Sequence, residues 1–203
     1  MGSNHHTDEV FQQKRKPKQP IKFNLQLNEE QKQAKSLILE HPVVVMKGMA
    51  GSGKTLVAVQ AALDLFFTKE IDKIIITRPT VAKEEIGFLP GDLKEKMDPW
   101  LAPIYNNLYM LYNKEKVDKE LELGNIEIVP FAFMRGRTFV NSFVVVDEAQ
   151  NVTQDQMETV LGRLGKGSKM VICGDVAQID LKVKKDSGFS FLTKVAEGVE
   201  GVK

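Results

Sequence analysis

Gly48-Met49-Ala50-Gly51-Ser52-Gly53-Lys54-Thr55 is the stretch on which the reading of this 203-residue chain turns. It fits the spacing G-x-x-x-x-G-K-[ST] of the phosphate-binding P-loop, in which glycines let the backbone wrap an anion with its N–H groups. A helix that follows such a loop offers its positive N-terminal end to the same phosphates. In that arrangement Lys54 reaches the β- and γ-phosphates and the Thr55 hydroxyl is offered to Mg²⁺. The flanks agree: the apolar run Val43-Val44-Val45-Met46 predicts a buried strand, and the mostly apolar run Leu56 to Phe67 predicts a helix opened by Lys54. A glycine-rich turn with a chance lysine would not require strand, loop and helix in that order. ATP or GTP binding through Gly48, Met49, Ala50, Gly51, Ser52, Gly53, Lys54 and Thr55 is the first expectation.

A second strand ending in carboxylates completes the chemistry. Phe143-Val144-Val145-Val146 is an apolar run that closes on Asp147-Glu148. At a strand end Asp147 is suited to hold Mg²⁺ through water, and Glu148 to orient and deprotonate an attacking water. Either carboxylate alone could be a solvated turn; together with the loop upstream they form a pair. Three further runs read as strands: Lys73 to Thr77, Asn125 to Val129 and Lys169 to Cys173. Strands alternating with helices predict an α/β fold with a mostly parallel sheet.

Outside these strands the chain is less specific. Residues 1–20 read as a flexible basic arm, with Lys14-Arg15-Lys16-Pro17-Lys18 and almost no apolar periodicity. His5-His6 is too short to argue for a metal. A helix is expected over Gln31 to Leu39 after an Asn28 N-cap. Gln31 on it could read a donor and an acceptor on adenine through its amide, or be an ordinary surface glutamine. From near Asp92 a helical stretch carries Leu93, Met97 and Leu101, which Pro99 and Pro103 should interrupt or restart. Trp100 and Tyr105 read as bases' stacking partners or as core. Residues 153–164 should be helical, capped by Thr153 and ended by Gly165. A last helix from Ser187 should show Phe189, Leu192 and Val195 on one face. Gln178, after Gly174-Asp175-Val176-Ala177, is placed to sense a γ-phosphate.

Bulk properties bound the class. A 42% hydrophobic content suits one globular domain, taken as residues 21–203. No apolar run of about 18 residues is present, so no membrane span is expected. The start has no signal-peptide pattern, and the single cysteine, Cys173, cannot form an internal disulfide or a multi-cysteine zinc site. A cytoplasmic setting fits. The net charge of +1 says nothing about nucleic acid, which reads local patches.

Several stretches carry a family resemblance. Val146-Asp147-Glu148-Ala149-Gln150 resembles motif II of superfamily 1 helicases, Gly174-Asp175-Val176-Ala177-Gln178 their motif III, and Thr77-Arg78-Pro79 their motif Ia. More specifically, Thr77-Arg78-Pro79 continuing through Gly87-Phe88-Leu89-Pro90-Gly91 to Asp98-Pro99-Trp100, with Arg135-Gly136-Arg137-Thr138, resembles the PhoH family of ATPases. The likeness runs over residues 21–203. It implies a RecA-like P-loop core, a three-layer sandwich, with ATP hydrolysis and a link to RNA or single-stranded DNA. It also implies that Gln31 matches the adenine-reading glutamine, Gly48 to Thr55 the nucleotide loop, Asp147 the magnesium residue, Glu148 the base and Gln178 the sensor. The sequence departs from two-lobed helicases in having one RecA-like lobe, and it lacks an arginine-histidine-proline segment of the family, so unwinding by this chain alone is not expected.

Two other readings compete with a nucleic-acid-coupled ATPase. Thymidine kinases also join a P-loop to Asp-Glu-Ala-Gln, but they resemble one another in a cysteine-bound zinc lobe that Cys173 alone cannot build. A nucleotide-gated binding module with little turnover is the third. Thr77, Arg78, Arg135 and Arg137 are expected to face a phosphate-rich ligand at the strand-end edge, the alternative being arginines paired with local carboxylates. With one lobe, a transition-state arginine should come from a neighbouring subunit, with Arg135 and Arg137 as first candidates. A homo-oligomer, a hexameric ring by analogy, is the expected assembly.

Overall fold

The computed structural model describes residues 22–79, 93–182, 184–196 and 201–203, and of residues 93–100 only the backbone. The basic arm, the 20/21 boundary, the turn with Gly87 and Pro90-Gly91, and the side chains of Leu93, Met97, Pro99 and Trp100 lie outside the described residues. The strands are β1 (Val43–Lys47), β2 (Lys73–Arg78), β3 (Ile126–Pro130), β4 (Ser142–Val146) and β5 (Lys169–Gly174). They form one sheet in the order β1-β5-β4-β2-β3, every pair parallel. Their near-continuous Val and Ile content follows from burial on both faces.

Alternation along each strand divides two cores. Val44, Ile74, Ile76, Phe143, Val145, Val171 and Cys173 face helices α1 (Glu29–Glu40), α2 (Lys54–Phe67), α3 (Leu93–Leu111) and α4 (Lys114–Glu122). Ile75, Val144, Val146, Met170 and Ile172 face the other way, toward α5 (Gln154–Leu161) and α6 (Gly188–Val195). The result is helix, sheet and helix in three layers, the RecA-like α/β sandwich that the sequence implied. Residues 201–203 run beside β1, with Val45 N–H donating to the Lys203 carbonyl at 2.6 Å.

Asn28 caps α1, and Gln31 returns the bond in a capping box. Three expectations need correction. The helix after Asp92 is not broken: α3 runs unbroken through Pro99 and Pro103. Its described half is held down by buried Leu101, Ile104, Leu108 and Leu111, and burying such side chains contributes about 1.5–3 kcal/mol each, enough to offset about 3 kcal/mol for an interior proline. The helix from Thr153 stops at Leu161, not Gly165, because the chain there turns to bridge Phe139, and the Gly165 N–H donates to the Phe139 carbonyl at 2.7 Å. A Cβ on Gly165 would lie 2.6 Å from that carbonyl oxygen. On α6, Phe189 and Leu192 are buried whereas Val195, in the last turn, is exposed. Helix α4 has no counterpart in the expectations: its charged sequence hides the one buried position, Val117.

Candidate nucleotide site

Strand order explains why distant residues meet. β5 lies between β1 and β4, so the loop leaving β1 and the carboxylates leaving β4 are two strand spacings apart, about 10 Å. The start of α2 spans that gap. Gly51 and Gly53 hold φ of 77° and 83°, the left-handed conformation that favours glycine, and Gly53 starts α2 with no side-chain cap. The first amides of α2 are thus left for an anion. From the first turn of α2, the Thr55 hydroxyl donates to Asp147 Oδ1 at 2.6 Å.

The two residues form the hard-oxygen pair that Mg²⁺ favours. Among the described residues no cluster of three or more metal-binding side chains exists. A magnesium ion here would therefore rest on Thr55, Asp147 and oxygens from substrate and water, which is how the ion is commonly held. Burial raises the Asp147 carboxyl above its ordinary value, against the Thr55 hydrogen bond and the positive charge of Arg78, which lower it. Burial likewise pushes the Cys173 thiol well up, making it an inert lining group.

The polar groups of the loop bond to protein partners. Lys54 Nζ donates to the carbonyls of Gly48 and Met49, both at 2.8 Å. Asp175 Oδ2 accepts from the Ala50 N–H at 3.1 Å, where a phosphate oxygen would otherwise sit. From there a relay runs across the strand ends. Gln150 Oε1 accepts from the Asp175 N–H at 3.1 Å, Gln150 Nε2 donates to Glu148 Oε2 at 2.6 Å, and Glu148 Oε1 lies 3.5 Å from Arg78 Nη2. Gln150 is almost fully buried, so its amide is fixed at both ends. Glu148 adopts a left-handed φ of 51°.

A cavity of about 320 Å³ gathers Ala50, Gly51, Gly53, Lys54, Thr55, Asp147, Glu148 and Gln178. Asn107 and Met110 of α3 also line it. A second cavity of about 410 Å³ lies on the other side of the loop, beside Gln31, Ala34, Leu37, Val45 and Val57. There Gln31 Nε2 donates to the Ser52 carbonyl at 3.3 Å, and its Oε1 accepts from the Asn28 N–H at 3.1 Å. Met49 stands 80% exposed at the loop tip.

The remaining candidates are not gathered with these. Thr77 is buried on the α5/α6 side, and its hydroxyl has no hydrogen-bond partner among the described residues. Arg137 Nη2 lies 2.5 Å from Glu127 Oε2, and Lys73 pairs with the same carboxylate. Burial pulls Glu127 up, but the bonds and charges of Lys73 and Arg137 outweigh it and hold the carboxyl below its usual value. Arg135 is exposed. Both arginines follow β3, the edge opposite β1. Tyr105 packs partly buried against the core and stacks on Tyr109 with centroids 6.3 Å apart. Asp175, Gln150 and Asn107 were not singled out from sequence. The first two lie inside the motifs quoted, where a buried glutamine after an acidic pair was the available signal.

The family described as PhoH-like protein matches residues 25–203. Two relatives bear the same description: one from Synechocystis sp. is 47% identical over 85% of this chain and 53% of its own length, and one from Bacillus subtilis is 49% identical over 76% and 49%. The chain spans about half the length of the curated relatives it matches. Among solved structures it is similar to the Sulfolobus solfataricus SWI2/SNF2 ATPase core in complex with dsDNA, at 16% identity and a TM-score of 0.47 over 86% of this chain and 40% of that one. At that score the likeness is remote.

Proposed function

Because this chain belongs to the PhoH-like protein family, we propose that it is a Mg²⁺-dependent ATPase whose nucleotide state governs its hold on RNA or single-stranded DNA. The observation that carries the reading is the 2.6 Å contact between Thr55 and Asp147, with Glu148 next in the chain and the P-loop in the same cavity. Lys54 leaves the loop carbonyls and meets the β- and γ-phosphate charge. Thr55 and Asp147 would hold Mg²⁺, which supplies positive charge to the transferring phosphoryl group. Glu148 orients the attacking water and takes its proton, while Gln178 feels the γ-phosphate and Gln31 the base. The buried cysteine and the absence, among the described residues, of a helix long and apolar enough to cross a membrane fit work in the cytoplasm. Arg135 or Arg137 reaches the site of a neighbouring subunit in a ring-shaped homo-oligomer. Head-to-tail contacts of this kind close when the rotation permits.

The test is ATP turnover and nucleotide binding in two variants. Lys54→Ala should abolish productive binding, and Glu148→Gln should keep binding while turnover falls about 10²- to 10⁴-fold. Wild-type turnover in Glu148→Gln rejects the assigned base. One observation favours a second reading, a binding module with little turnover: the Glu148 carboxylate is held by Gln150 and Arg78. Tight ATP binding without measurable phosphate release, with or without RNA, selects it.

A further inference from the structure

We propose that a basic groove between the end of β1 and helix α6, away from the arginines, is the seat for single-stranded nucleic acid. The groove is a cavity of about 580 Å³ lined by Lys47, Lys184, Lys185, Lys194, Val176 and Phe191, with three hydroxyl or amide side chains beside them. Among the described residues no Asp or Glu lines it, and none of the four lysines makes an ion pair with a described residue. Elsewhere in the fold Lys35, Lys73, Arg78 and Arg137 each rest on a carboxylate. Four unneutralised ammonium groups around one concavity attract a polyanion and gain by releasing its counterions.

The polyanion is narrowed to a single strand by Phe191. It stands 37% exposed in the groove wall, next to Val176, also 37% exposed. An exposed ring among lysines offers a face to an unpaired base, whereas paired bases are stacked on one another and present none. Place supports the same choice. Lys47 immediately precedes the P-loop, and Val176 follows Asp175, whose carboxylate sits on the Ala50 N–H. Val176 lines the groove, and Asp175 and Gln178 on either side of it in the chain line the nucleotide cavity. A strand in the groove therefore touches the segment that also borders the nucleotide cavity.

The inference rests on the nucleic-acid half of the function proposed above, and the experiment separates the two. Affinity of the full chain for labelled unstructured RNA and DNA oligonucleotides is measured against salt, with and without a non-hydrolysable ATP analogue. The Lys184→Glu, Lys185→Glu, Lys194→Glu triple variant should bind at least about tenfold more weakly, and its salt slope should fall by about 2, near 0.7 per lost contact. Phe191→Leu keeps the apolar packing, guards against a folding artefact and should still cost about fivefold or more through lost stacking. Wild-type affinity in both variants overturns the groove while leaving the nucleic-acid reading intact. Failure of the unaltered protein to bind any oligonucleotide overturns both. Equal competition by tripolyphosphate at matched phosphate concentration overturns the single-strand claim in favour of a short-anion site. Capture by phosphatidylserine vesicles without oligonucleotide binding overturns it in favour of a membrane surface.

Discussion

At the carboxyl ends of β1, β5 and β4, the groups of the candidate nucleotide site bind one another across 125 residues of sequence, as Ala50 and Asp175 do. Past the end of β3, the arginines are settled locally: Arg137 lies ten residues from its partner Glu127, and Arg135 is exposed. The first region is built from backbone, with glycines in fixed conformations and the start of a helix. The second is built from long side chains whose partners depend on what else is near. A backbone site announces itself by spacing, and a side-chain site does not.

The largest effect that could break this contrast belongs to the arginines. If Arg137 acts in a neighbour's site, Arg137→Ala should lower turnover about 10³- to 10⁵-fold. Mixing it with Glu148→Gln subunits should restore hydrolysis above either parent. If Arg137 serves only Glu127, the loss is confined to a partly exposed ion pair, worth about 1 kcal/mol or less in stability, and mixing restores nothing.

Asp147 tests the other region. Asp147→Asn should weaken Mg²⁺-supported nucleotide binding about 10- to 100-fold, the scale of a lost charge-assisted contact. Its stability should move the opposite way. Burial raises the Asp147 carboxyl in the folded state, so the fold binds that proton more tightly than the unfolded chain does. Ionising it then costs stability as pH rises from the ordinary aspartate value through the raised one. In metal-free buffer the variant should melt above the parent at neutral pH, with the gap closing on acidification. Equal melting curves at both pH values reject the assignment of the shift.

The smallest effect separates two accounts of Thr77. Its hydroxyl is buried and has no partner among the described residues, so Thr77→Val should stabilise the protein by about 1 kcal/mol, raising Tm by about 2–4 °C. A loss of oligonucleotide affinity in the same variant would instead bring Thr77 back to the ligand.

The sheet was readable because each strand is an apolar run that needs burial on both faces. The proximity of Thr55 and Asp147 was readable because a P-loop and a strand-terminal carboxylate carry that geometry in their spacing. The unbroken α3 was not, since proline's local cost is visible in sequence and the compensating burial of Leu101 to Leu111 is tertiary. Nor was the lysine groove: Lys47, Lys184, Lys185 and Lys194 look like ordinary surface charge until β1 and α6 are brought together. Asp175 was hidden by its neighbour Gln178, which attracts the eye because a glutamine suggests a sensor.

The carboxylate of Asp175 on the Ala50 amide ties the loop that leaves β1 to the segment that leaves the neighbouring β5. With the Lys54 ammonium bonded to the carbonyls of Gly48 and Met49, the loop is braced from within and from the side. A substitution at Asp175 therefore reaches the P-loop from 125 residues away along the chain.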